Sequence, residues 1–275
     1  MKIFRPVKTE DKLDLVLYNS SVKNPRAVIF LVHGMGEHAK RYAHVVEYFK
    51  NVNIASVAID LRGHGNSEGQ RGHMPSFDHM MNDLTLALAH VTHNYKGIPL
   101  FLYGHSMGGN LILNYLLRNA DGAMGAIATG PYLRLGFDPP RWKVILARLS
   151  ANIYPSLSQP TGLDRIALAR SSQIIHEYEN DPLVHDRMTA SFFINIHQAG
   201  MNAIARSKEL EIPLLLMHGS EDRLTSPEGT KDFHANAGSN VTFHLMEGLY
   251  HEIHNEPEKN QVFKIQLEWI EALLK

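Results

Sequence analysis

The sequence contains no cysteine, which excludes disulfides, thiolate catalysis and cysteine-based metal sites. It has no surplus of either charge: 27 Lys and Arg stand against 28 Asp and Glu. No nucleic-acid surface and no polybasic membrane anchor are therefore expected. A bilayer-spanning run is missing too. The longest uncharged stretch, 97–117, is interrupted by Pro99, four glycines, His105 and Ser106, which suits a turn and not a membrane span. The opening Met1-Lys2-Ile3-Phe4-Arg5-Pro6 lacks the apolar core of a signal peptide, so the expectation is a cytoplasmic protein. Repeats and low-complexity segments are also lacking.

What is present is a chain of 275 residues with 44% apolar content, enough for one large domain or a domain with an insertion. Continuous apolar runs at 27–32, 54–60, 100–104, 125–129 and 212–217 have the character of strands buried on both faces. Residues 12–19 read as an outer strand and 241–245 as the last one. Helical spacing falls between them, most clearly at Met80, Leu84, Leu88 and Val91 within 77–94. Further helices are expected at 41–50, from Asn110, at 229–237 and at 259–274. Strands alternating with helices predict an α/β fold with a mostly parallel central sheet covered on both faces.

From Gly130 to about Ser207 the alternation stops, and helices and loops rich in large apolar residues are expected. An insertion after a core strand lies above the carboxyl edge of the sheet, where ligands bind in open α/β folds. The expected organisation is a core of 1–130 and 208–275 with a helical cap at 131–207.

The chain is organised around Gly104-His105-Ser106-Met107-Gly108, between an apolar strand and the helix from Asn110. A serine on such a strand–turn–helix junction sits in a strained conformation that exposes its hydroxyl. A Gly-rich turn with an incidental serine is the plainer account, and the strand and helix flanks weigh against it.

Serine is a poor nucleophile without a base, and the base needs an orienting acid. The acid candidate is Asp222, on the loop after the 212–217 strand. Asp60, its rival, precedes the serine. The base candidate is His251, on the loop after the last strand, preferred over His254. The order Ser106, Asp222, His251 is the one this topology leads one to expect. An oxyanion needs two donors. These are expected from the backbone N–H groups of Met107 and of Met35, the latter in the loop His33-Gly34-Met35-Gly36. With 17 histidines in the chain, most are structural. His33, His64 and His105, with Glu37, are expected to hold loops.

His33-Gly-Met-Gly-Glu-His38, Asp60-Leu-Arg-Gly-His-Gly-Asn-Ser-Glu68, Gly104-His-Ser-Met-Gly108, the Asp222 loop and His251 together resemble the α/β-hydrolase superfamily. Within it they are similar to the monoacylglycerol lipase and lysophospholipase-like serine hydrolases. The likeness runs from about Lys8 to the closing helix and is weakest in the cap. It implies Ser106 as nucleophile and an oxyanion hole at the positions of Met35 and Met107. It also implies an acyl chain bound in an apolar tunnel under the cap, with the alcohol leaving on a polar side. Relatives with cysteines near the site differ from this chain, so thiol sensitivity is not expected.

The expected function is hydrolysis of monoacylglycerols through an acyl-enzyme, without metal or cofactor. Lysophospholipase or general carboxylesterase activity is the nearest alternative. A serine peptidase, a haloperoxidase-like enzyme or a non-catalytic binding protein are more distant ones. Epoxide hydrolases and dehalogenases would need an aspartate at Ser106. Cap residues Leu133, Phe137, Leu146 and Ile153 are expected to meet the acyl chain. A parted cap would touch membranes or micelles weakly, without an anchor.

Overall fold

The computed structural model describes residues 1–4, 6–119 and 122–275, and of residues 141, 143, 144 and 152 the backbone alone. The strands β1 (Lys2–Ile3), the ribbon β2 (Val7–Lys8) and β3 (Asp14–Leu15), and β4 (Leu17–Ser20) lead into β5 (Ala27–Val32). Then come α1 (Ala43–Asn51), β6 (Ile54–Ile59), α2 (Phe77–Asn94), β7 (Leu100–His105), α3 (Met107–Leu116) and β8 (Gly125–Thr129). The stretch that follows holds α4 (Arg141–Ile153), β9 (Ser158–Pro160), α5 (Ser172–Asn180), β10 (Arg187–Thr189) and α6 (Ala190–Arg206). The core resumes with β11 (Leu214–Gly219), α7 (Pro227–Asn236), β12 (Val241–Met246) and α8 (Lys259–Leu273).

One sheet runs β1-β4-β6-β5-β7-β8-β11-β12. The six strands from β6 to β12 pair in parallel, while β4 and β1 add antiparallel at one edge. The central strands are buried along their whole length, as their unbroken apolar runs require. Their side chains alternate between two cores. Val28, Phe30, Val32 and Leu102 pack with α2, α3 and α6 on one face, and Ile29, Leu31, Phe101 and Tyr103 with α1 and α8 on the other.

The register aligns Val32 with Gly104 and Gly104 with Ala128, and Met217 with Thr129. The loops after β5, β7, β8 and β11 therefore leave the sheet at one edge. That edge is where a site can be assembled from distant parts of the chain.

The 130–207 stretch differs from the expected helices and loops in two ways. First, β9 and β10 form a two-stranded antiparallel ribbon. Three residues each, partly exposed, carry too little alternation to announce a strand. Second, α6 packs against α3 and α7. Asn110 Nδ2 donates to Tyr132 O at 2.7 Å and Ile196 O at 3.0 Å, and Asn114 Nδ2 to Ala199 O at 3.2 Å.

The segment from His185 to Thr189 is seated on core loops backbone to backbone. His185 N donates to Gly36 O at 2.8 Å and Thr189 N to Gly72 O at 2.8 Å. His185 Nε2 bonds Gly63 O at 3.1 Å. A Cβ at Gly36 would overlap the His185 carbonyl, and one at Gly72 the Arg187 carbonyl.

Candidate active site

Ser106 lies between the last residue of β7 and the first of α3, with φ 52° and ψ −115°. A residue with a Cβ avoids that region unless its surroundings enforce it. Here they do. Ser106 N donates to Thr129 O at 3.0 Å, while Ser106 O accepts from Tyr132 N at 2.9 Å and Asn110 N at 3.1 Å. The turn also brings α3 so close to β5 that a Cβ at Gly108 would overlap the Val32 carbonyl. The helix starts at Met107, three residues earlier than its apolar periodicity predicts, because the glycines carry no hydrophobic signal. This leaves the Met107 N–H at the unpaired amino end of a helix. Met35 stands in the loop after β5. Among the described residues, neither N–H has a hydrogen-bond partner.

The loop carrying Met35 is held rigidly. Gly34 N donates to Glu37 Oε1 at 2.7 Å, as does the Tyr42 hydroxyl at 2.6 Å. His33 bonds Gly34 O through Nδ1 at 2.7 Å and accepts Leu61 N through Nε2 at 3.0 Å. Arg41 joins Glu37 to Glu252, meeting the latter in a bidentate pair at 3.0 and 2.9 Å. The Met35 loop and the His251 loop are thereby tied together.

Asp222 and His251 meet with Oδ2 2.6 Å from Nδ1, both side chains buried. Asp222 Oδ1 accepts the N–H groups of Leu224 and Thr225 at 2.8 and 3.0 Å. Its Oδ2 also receives Thr225 Oγ1 at 2.8 Å and His218 Nε2 at 3.0 Å. Burial alone would raise the Asp222 pKa, but the His251 charge and the bonds from His218 and His251 hold it well below the carboxylate range. Burial alone would lower the His251 pKa, but the facing Asp222 outweighs it and raises the ring above the ordinary histidine value.

The neighbouring histidines behave oppositely. Burial, with His251 alongside, pushes His105 well below the ordinary value. Burial, with His105 alongside, does the same to His254, which stacks on Tyr42 at 4.8 Å. Asp60 is taken up by Tyr18, Ala39 and Asn66, and Glu221 is exposed.

Ser106, His251, Met35 and Met107 all line one cavity of about 570 Å³, a size suited to a small organic ligand. Its walls include Leu135, Phe137, Met188, Phe192, Phe193 and Ile196. A groove of about 670 Å³ on the flank, bordered by Arg41 and His44, contains none of these four residues.

Of the cap residues expected to meet a ligand, Phe137 lines the cavity. The other three do not. Leu133 is fully buried in the core beneath α6. Leu146 and Ile153 are 52% and 65% exposed, because α4 turns Ala147 toward the cavity and these larger residues away. His218 and Thr225, unremarked among many histidines and threonines, are the residues that sequence reasoning missed.

A family profile described as "Serine aminopeptidase, S33" matches residues 23–258. The chain is 34% identical over 95% of its length to an uncharacterized abhydrolase domain-containing protein of Dictyostelium discoideum, of which it spans only 28%. It is 30% identical to the monoacylglycerol lipase of Mycolicibacterium smegmatis, over 90% of this chain and 89% of that one. The solved structure of Paleococcus ferrophilus monoacylglycerol lipase superposes with a TM-score of 0.85 at 31% identity, covering 94% of this chain and 98% of that one.

Proposed function

This chain belongs to the serine aminopeptidase S33 family of α/β-hydrolases, and from that premise we propose that it is a serine carboxylester hydrolase acting on monoacylglycerols. The observation that carries the proposal is the common cavity. A strained serine, a histidine paired to a buried aspartate and the Met35 and Met107 backbone meet under an apolar roof.

In this reading Ser106 Oγ attacks the ester carbonyl while His251 Nε2 takes its proton. The Met35 and Met107 N–H groups hold the oxyanion. The tetrahedral intermediate collapses, His251 returns the proton to the leaving alcohol, and the acyl group stays on Ser106. Water, deprotonated by His251, then attacks the acyl carbonyl, and His251 returns the proton to Ser106 Oγ as the fatty acid leaves. Asp222 keeps the His251 proton on Nδ1 and steadies the imidazolium. Every group in these steps belongs to this chain or to the substrate and water.

The roof supports a lipid-like substrate. Its outer face presents Ile145, Leu146, Leu149 and Ile153, each more than half exposed, a patch that favours weak contact with a micelle or bilayer. No helix among the described residues is long and apolar enough to cross a membrane. An aminopeptidase would need a carboxylate to hold the substrate ammonium. Glu37 and Glu252 are already occupied by Arg41, and Asp164 at the cavity wall is exposed.

The test is a panel of monoacylglycerols of rising chain length, with lysophosphatidylcholine, triacylglycerol and an aminoacyl arylamide. Each methylene leaving water contributes about 0.8 kcal/mol, so kcat/KM should climb along the monoesters and vanish in Ser106→Ala. Rates flat from acetate to dodecanoate, or higher on triacylglycerol or the arylamide, would overturn the substrate assignment.

A further inference from the structure

We propose that His218 is a positioning residue that shares the Asp222 carboxylate with His251 and thereby sets the proton affinity of the base. This rests on the roles given above to Asp222 and His251. His218 is the penultimate residue of β11, is fully buried, and lies outside the cavity. Its Nε2 is 3.0 Å from Asp222 Oδ2, the same oxygen that meets His251 Nδ1 at 2.6 Å. Asp222 can only accept there, so Nε2 carries the proton. On the other side, Nδ1 is 2.8 Å from Thr230 Oγ1. That hydroxyl can turn and donate to Nδ1, which fixes the ring's tautomer with its Nε2–H on Asp222. Two imidazoles, one on each flank, thus compete for one carboxylate oxygen.

The consequence is electrostatic as well as steric. Each donor that Oδ2 receives spreads its negative charge and weakens its pull on the His251 proton. Removing the His218 donor frees that charge for His251, so the base becomes harder to deprotonate and the carboxylate less well aimed. The other ionisable groups around the pair are His105 at the end of β7, Glu37 and Arg41 beside the Met35 loop, and Glu252 and His254 beyond His251. None of them hydrogen-bonds to His218, so their influence is constant in the comparison.

The experiment is the pH profile of kcat and kcat/KM on a soluble p-nitrophenyl ester for wild type, His218→Leu, His218→Gln and Thr230→Val, with Asp222→Asn alongside. His218→Leu should lose about tenfold in kcat, the scale of one hydrogen bond to a charged group. Its acidic limb should move to higher pH by about half a unit or more. His218→Gln, which keeps a donor on the same flank, should restore the wild-type limb. Thr230→Val, which frees the tautomer, should move the limb in the leucine direction by less, and it decides the matter if the leucine variant does not fold. A limb unmoved in both His218→Leu and Thr230→Val overturns the proposal, whatever happens to the rate. An Asp222→Asn enzyme that keeps wild-type activity overturns instead the acid assignment on which it rests.

Discussion

Replacing Ser106 by glycine should make the protein more stable than replacing it by alanine. Both substitutions remove a hydroxyl that has no hydrogen-bond partner among the described residues, so their difference isolates the Cβ. At φ 52° and ψ −115° a residue with a Cβ carries strain of about 1–3 kcal/mol. Against this, glycine gives the unfolded chain extra freedom worth about 0.4–1 kcal/mol. The remainder favours Ser106→Gly over Ser106→Ala by about 1 kcal/mol. For a chain of this size that is a rise in Tm of roughly 2–4 °C. On the proposed mechanism neither variant turns over substrate, so stability is the readout. Urea unfolding at pH 7.5, with the two variants compared at a common slope, measures it directly. A glycine variant equal to or weaker than the alanine variant would refute strain at Ser106.

Three further outcomes follow from the same geometry. Folded-state pKa values of His33, His64, His105 and His254 lie below their unfolded values, so unfolding takes up protons below about pH 6.5. His251 works in the opposite sense, its contribution present at low pH and lost as pH rises through its raised value. Stability should therefore fall as the pH drops from 7 towards 5; a urea midpoint unchanged between pH 7 and 5 would contradict this. Met35→Pro, which deletes an N–H, should cost about 10²- to 10³-fold in kcat, while Met107→Leu keeps most activity; equal kcat values for the two variants would exclude the Met35 donor. Arg41→Ala leaves Glu37 and Glu252 buried without a counter-charge and should destabilise by about 3–5 kcal/mol, with Arg41→Lys recovering only part because it cannot form the bidentate pair; denaturant unfolding of the two would show it.

The sheet was legible because its strands are buried on both faces, so 27–32 and 125–129 appear as unbroken apolar runs with the bounds found in the structure. The helix 77–94 was legible to its ends, since Ser76 caps it and its apolar stripe is regular. The approach of Asp222 to His251 was anticipated from chain order, since loops after parallel strands must share one edge of the sheet. What could not be read was orientation. Periodicity marks α4 as amphipathic but does not say that Ala147, and not Leu146 or Ile153, faces the cavity. The place of His218 was equally hidden. Its partner Thr230 lies on the next helix, and the sequence holds sixteen other histidines.

The seat of residues 185–189 on Gly36, Gly63 and Gly72 bears on how such an enzyme could be rebuilt. A roof exchanged between homologues is a graft with two unlike junctions. Residues 131–180 meet the core backbone to backbone at Ser106, Leu224, Ser226 and Glu252, positions that are not glycines, whereas 185–189 packs its carbonyls against Gly36 and Gly72. A chimera that imports the ribbon must also supply a host glycine at 36 and 72, or the incoming carbonyls will push the Met35 loop outward. One that keeps 181–207 from this chain and changes only 131–180 leaves the seat of the Met35 loop untouched, provided it preserves the backbone bonds that Tyr132 and Leu168 make beside Ser106 and His251. Substrate range could then be varied on one side of the seam without retuning the chemistry on the other.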